Sequence, residues 1–204
     1  MTILENIKKA KESEKRNFNQ TFDLIINLKE IDLKKAGNRI DEHFILPKGT
    51  GKETSITLFS DSAKKIEGCK IIKEMDIEDL AKKKKNLKKV IKETDFFLSE
   101  PKLMPVVGKH LGKFLAPRGM MPKPVAGDIS KIIEGTKKSI KITLSKQPII
   151  HTVVGSEKMD DKDVEENIKA LLVYLQKKLP RGKDNIKSVY LKTTMGHPVK
   201  IEVG

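Results

Sequence analysis

The two ends of this chain are patterned alike, and its middle is not. From residue 18 the apolar Phe18, Phe22, Leu24, Ile26 and Leu28 alternate with Asn19, Thr21, Asp23 and Asn27. That is the period of a half-buried strand, with Gln20 as a polar exception on the apolar side. Residues 39–46 read as a second strand closed by Pro47, and the short connection predicts an antiparallel pair. Toward the other end, 139–144 and 149–154 read as strands joined in a hairpin through Ser-Lys-Gln-Pro. Asp160 then opens a helix with Val164, Ile168, Leu171, Leu172 and Leu175 on one face, ended by Pro180. Strands over 186–191 and 199–203 flank the turn Thr193 to Pro198. Ahead of all this, Thr2 and Glu5 have capping-box spacing, and Ile3, Leu4, Ile7 and Ala10 share the face of a helix ending near Arg16.

Between the ends, short strands and helices alternate. Strands are predicted over 55–59, 69–72 and 96–98, and a short helix over 61–67 closed by Gly68. Asp76 caps a helix carrying Ile77, Leu80, Leu87, Val90 and Ile91, and a last helix over 128–134 stops at Gly135. Such alternation argues for a small parallel sheet with helices on both faces. The simplest chain course is a middle domain, 53–137, inserted into an outer domain split between 1–52 and 138–204. Crossings near Gly51 and Lys138 would make a double-stranded hinge.

Charge narrows the partner. The 204 residues carry a formal net charge of +14, which points to nucleic acid or an anionic membrane. No apolar run approaches the roughly 18–20 residues of a membrane span, and the N-terminus is charged and amphipathic rather than a secretory signal. A cytoplasmic nucleic-acid partner is the expectation. Residues 108–124 hold Gly108, Gly112 and Gly119 with Pro117, Pro122 and Pro124. They also hold Lys109, Lys113, Arg118 and Lys123, and no carboxylate. This reads as a stiff cationic loop, either a surface for phosphate or a solvated turn, because its prolines exclude an ordinary helix or central strand. The run Lys82 to Lys85, with Lys88, Lys89 and Lys92, reads as a solvated face that adds long-range attraction for RNA.

Chemistry has little to work with. Residues 47–52 fail as a phosphate-binding P-loop, since Leu46 and Glu53 stand where Gly and Ser or Thr are needed. The Gly-x-Gly-x-x-Gly spacing of a dinucleotide site is missing too. A nucleotide-using enzyme built on the middle domain is the disfavoured alternative. Asp160, Asp161 and Asp163 suit a helix N-terminus better than a metal. His43, His110, His151 and His197 are scattered, and Cys69, starting a buried strand, has no partner cysteine. No cofactor and no metal are expected, nor a nucleophile beside a base. Thr193, Thr194, Met195 and Gly196 could lie flat against a sugar–phosphate chain, or form an ordinary hairpin turn.

Four stretches together resemble one family, the large-subunit ribosomal protein L-one family, in its archaeal form. They are Gly112 to Pro124 (GKFLAPRGMMPKP), Thr193 to Gly196 (TTMG), Phe18-Asn19-Gln20-Thr21, and Leu46 to Lys52 (LPKGTGK), in the family's order. Departures are Asn17 in place of lysine, Ser156-Glu157-Lys158-Met159 after Gly155, and His197 inserted before Pro198. The resemblance implies an α/β chain: an α+β outer domain with an inserted Rossmann-like domain. It implies a structural, non-enzymatic protein on large-subunit rRNA at the mobile stalk. It further implies repression of translation through its own mRNA and a monomer when free. The implied RNA contacts are Lys15, Arg16, Asn17, Phe18, Thr21, Gly155, Thr193, Thr194, Met195 and Gly196. The basic run with Lys109, Lys113, Arg118 and Lys123 becomes a secondary surface, its implied partners exit-site tRNA or the outer domain.

Overall fold

A computed structural model describes residues 2–13, 16–52, 54–61, 68–125, 129–144 and 147–202, with the backbone alone at Ala36 and Lys84. Lys15, nearly all of the helix expected over 61–67, and the expected helix start at Asp128 lie outside these residues. The chain divides into two compact units, Met1–Lys52 with Lys138–Gly204, and Glu53–Lys137.

In the split unit, α1 (Ile3–Ser13) starts on the expected capping box. The Thr2 amide donates to the Glu5 carboxylate at 3.1 Å, and the Glu5 amide to the Thr2 hydroxyl at 3.4 Å. Strand β1 (Thr21–Leu28) alternates in burial residue by residue, with Phe22, Leu24, Ile26 and Leu28 inward. It begins three residues later than its apolar pattern suggests, because Phe18 stands out in solvent. After β2 (Ile40–Ile45), the chain returns to this unit as β7 (Ser139–Leu144) and β8 (Ile149–Ser156). Helix α6 (Asp161–Lys178) and strands β9 (Ile186–Thr193) and β10 (Val199–Ile201) complete it.

The pairing corrects two expectations. Strand β1 sits between β9 and β8 in an antiparallel sheet of order β10-β9-β1-β8, so neither of its edges is left for β2. Nor do β7 and β8 form a hairpin ladder. Strand β2 pairs antiparallel with β7, from Ile40 opposite Leu144 to Ile45 opposite Ser139. These strands leave and re-enter the unit at one place, so they run in opposite directions and meet naturally. One core holds the unit together, with Ile7 and Ala10 of α1 and Val164, Ile168, Leu171 and Leu175 of α6 against the inward side chains of the sheet.

In the other unit β3 (Ile56–Phe59), β4 (Cys69–Ile72), β5 (Phe96–Ser99) and β6 (Lys123–Pro124) form a parallel sheet of order β4-β3-β5-β6. Pro124 is tolerated because β6 is an edge strand. Helices α2 (Glu74–Lys82), α3 (Lys84–Glu93) and α4 (Met104–Leu115) cover one face through Ile77, Leu87, Val90, Val107, Leu111 and Leu115. Helix α5 (Ile129–Lys137) covers the other through Ile133.

Three local expectations change here. The single helix opened by Asp76 is two, broken at Lys83 (φ −93°, ψ 77°) inside the lysine run, and Asp76 lies within α2. Like charges three and four apart strain a continuous helix at that point. The cationic loop is a helix as far as Leu115. Its apolar stripe Leu103, Val107, Leu111 and Leu115 outweighs Gly108 and Gly112, each of which costs about 1 kcal/mol in a helix. The prolines fall beyond it, Pro117 in the tight turn Ala116–Arg118, and Pro122 and Pro124 after a left-handed Gly119 (φ 63°). Last, Gly135 does not stop α5, which runs on to Lys137.

Candidate nucleic-acid interface

Because β1 is antiparallel to both β8 and β9, its N-terminal end lies beside both of their C-terminal ends. Thr21 is opposite Ser156, and Phe22 is opposite both Gly155 and Thr193. Three segments therefore emerge along one rim of the sheet: 16–20, 156–159 and 194–198.

A buried amide ties them together. Gln20 is fully buried. Its side-chain oxygen accepts from the Met195 amide at 3.1 Å, and its side-chain nitrogen donates to the Glu157 carboxylate at 3.3 Å. Its backbone amide donates to the same carboxylate at 3.2 Å, and its carbonyl accepts from the Glu157 amide at 2.9 Å. Beside it the Thr194 amide donates to the Thr21 carbonyl at 3.1 Å, the Thr21 amide to the Thr194 hydroxyl at 3.2 Å, and the two hydroxyls lie 3.1 Å apart. The Ser156 hydroxyl donates to the Asn19 side chain at 3.0 Å. Beneath the rim, Lys11 pairs with Asp161 and sits 5.8 Å from the centre of the Phe22 ring, locking α1 to the start of α6.

What the rim shows to solvent follows from this clamp. Phe18 and Met195 are both 53% exposed, and the Gln20–Met195 bond holds their segments side by side. Arg16, Asn17, Asn19, Lys158, Thr194 and His197 are exposed around them.

Other expected contact residues are buried or half-buried. Thr193 is fully buried, so its hydroxyl does not face solvent, and that hydroxyl finds no hydrogen-bond partner among the described residues. Gly155 is buried, and a Cβ there would meet Val164 Cγ2 at 3.0 Å. Gly196 is buried as well; a Cβ would come within 2.2 Å of Thr193 Oγ1 and 2.4 Å of Ser13 Oγ. Thr21 is half-buried, its hydroxyl turned to Thr194. In the other unit Lys109 and Lys113 are exposed one turn apart on α4, and Arg118 and Lys123 are exposed after it.

Sequence reasoning missed Gln20, Glu157, Asn19 and Lys158. Gln20 had left a signal, as the polar break in an otherwise apolar alternation. Among the described residues no group of three or more His, Cys, Asp or Glu could hold a metal ion, and no helix is long and apolar enough to cross a membrane.

A mixed α/β chain with this motif order has known counterparts, and the class is that of ribosomal proteins. Residues 9–197 match the model of the ribosomal protein L1p/L10e family. The large ribosomal subunit protein uL1 of Methanothermobacter thermautotrophicus is 41% identical over 98% of each chain. That of Methanothermococcus thermolithotrophicus is 43% identical over 98% of this chain and 97% of its own. That of Methanocaldococcus jannaschii is 42% identical over 98% and 94%. The chain belongs to the ribosomal protein L1p/L10e family, as its motifs suggested. It is a ribosome-associated cytoplasmic protein of a structural rather than enzymatic family.

Proposed function

We propose that this chain binds large-subunit rRNA at the mobile stalk through the rim of its split unit, and that the same rim takes a similar element in its own mRNA and represses translation. The RNA-binding domain is then 1–52 with 138–204, and the inserted domain is 53–137. The reading rests most on one observation. The Gln20 side chain pins the Met195 and Glu157 segments together, which leaves Phe18, Thr194 and Met195 exposed on a preorganised surface beside Arg16 and Lys158. Two exposed apolar side chains held on adjoining segments suit a contact surface, and folded RNA is recognised by shape, stacking and ribose hydroxyls. Lys15, Arg16 and Asn17 supply charge and hydrogen bonds. Gly155, Thr193 and Gly196 act indirectly, by holding the backbone that the RNA meets. Lys109, Lys113, Arg118 and Lys123 form the secondary basic surface, with exit-site tRNA as its partner.

Phe18→Ala and Met195→Ala are each expected to weaken binding of an rRNA fragment about tenfold or more, roughly 1.4 kcal/mol. Both side chains lie outside the core, so the melting temperature stays near wild type. Filter binding beside a thermal melt reads both, and wild-type affinity in both variants would move the site elsewhere. The regulatory half has its own test. A reporter fused to the chain's own mRNA leader should be repressed by wild type and released by Met195→Ala; a reporter indifferent to wild type removes that half.

A further inference from the structure

The sheet β10-β9-β1-β8 is covered on one face. Its inward residues pack in a single core with α1 and α6. On the opposite face cross-strand partners line up in rows: Lys200, Tyr190, Ile25 and His151 in one, Lys192, Asp23 and Val153 in the next. Ile25, Val153 and Tyr190 are half-buried and none joins the core. Neighbouring strands lie about 4.8 Å apart, so the backbones of Tyr190 and His151 are separated by about 10 Å across Ile25.

We propose that this open face binds an unpaired stretch of RNA, with a base stacked on Tyr190 and phosphates at Lys192 and Lys200. Charge selects the occupant. Among the described residues neither lysine is held in an ion pair, and in these two rows Asp23 is the sole carboxylate. Burial pushes the Asp23 carboxyl up from its ordinary value, against the pull of Lys192, a hydrogen bond from Thr21, and His151. At the β9–β10 edge Lys183 and Lys187 join Lys200 around a pocket that Glu202 also lines, three cations to one carboxylate. An apolar protein partner would bury these cations unpaired, whereas a phosphodiester strand meets them and lays its bases on the ring. Single-stranded RNA is read in this way on other four-stranded sheets. Thr21, Asp23 and Ile25 follow one another along the same side of β1, so a strand seated at the rim passes directly onto this face. The inference rests on the reading that the partner is RNA; it does not need the rim.

The test uses the full chain and two probes, an oligouridine of about ten nucleotides and the rRNA fragment. The chain has two tyrosines and no tryptophan, so in a Tyr174→Phe background Tyr190 alone fluoresces. Oligouridine is expected to quench that emission. Tyr190→Ala should weaken the oligouridine about tenfold or more. Lys200→Glu should weaken it in the same direction, and Tyr190→Phe, which keeps the ring, should not. Unquenched emission at saturating oligouridine overturns the inference, as does wild-type affinity in both Tyr190→Ala and Lys200→Glu. Met195→Ala separates the two sites: oligouridine affinity stays and rRNA affinity falls. If rRNA affinity also stays, the rim reading fails while this one stands.

Discussion

Asn167→Leu is expected to destabilise the split unit by about 3–5 kcal/mol, although it swaps a buried amide for an apolar side chain of similar size. Asn167 is fully buried on α6 among Val164, Ile168 and Leu171. Its side-chain nitrogen donates to the Gly49 carbonyl at 2.8 Å and the Val154 carbonyl at 2.9 Å. Its oxygen accepts from the Lys48 amide at 3.0 Å. Three backbone groups therefore depend on one side chain, and each left unpaired in a buried place costs about 1–3 kcal/mol. Nearby, the Leu46 amide donates to the Lys138 carbonyl at 3.0 Å, so the same segment is fastened from its other side. Against a typical stability of about 5–15 kcal/mol the loss is large. At roughly 4 °C per kcal/mol for a unit of this size, it should lower the melting transition by more than 10 °C. Leucine keeps the branched four-heavy-atom shape and is the bulkier of the two, so the loss does not come from a cavity. A variant that melts within a few degrees of wild type would mean that these three bonds add nothing.

Asn167 and Gln20 also mark where sequence reading stopped. Both occupy core-facing positions by period, and both are polar. A search for apolar stripes passes over one and records the other as an exception. Patterning did reveal the strands of the split unit, the parallel sheet, α6 with its Asp160 start, and the turn between β9 and β10. Each of these is written in local periodicity or a local stop. Pairing is written elsewhere. Strand β1 meets β8 and β9 more than a hundred residues away, and β2 meets β7 across the inserted unit. Nothing in the short links 29–39 or 145–148 carries that information, so nearest-neighbour pairing was the natural and mistaken choice. Helix α4 shows the reverse error: Gly and Pro were weighed as breakers, when four apolar residues on one face held the helix through two glycines. At the rim the exposed Phe18 and Met195 could be named from motif order. The burial of Thr193, Gly155 and Gly196 could not, because it depends on Ser13, Val164 and Met159 arriving from distant segments.

Affinity for rRNA is expected to fall about 10³-fold when monovalent salt rises from about 50 to about 200 mM. Unengaged charge sets this salt dependence. On the helical side of the split unit several lysines are held by carboxylates: Lys11 by Asp161, Lys48 by Asp163 and Glu166, Lys169 by Glu165, and Lys178 by Glu42. At the rim and along the open sheet the arrangement differs. Lys158, Lys192, Lys183, Lys187 and Lys200 have no ion-pair partner among the described residues. Cations already neutralised within the protein release few counterions on binding; unpaired ones release about one per phosphate met. Some six phosphates give a logarithmic slope near −5, and a fourfold rise in salt then costs about three orders of magnitude. Lys158→Ala should lower the slope by about one and weaken binding similarly for every RNA, since a phosphate contact carries no sequence information. Phe18→Ala, by contrast, should weaken binding with the slope unchanged, because stacking releases no ions. A slope near zero for wild type, or an unchanged slope in Lys158→Ala, would show that the RNA does not lie across this rim.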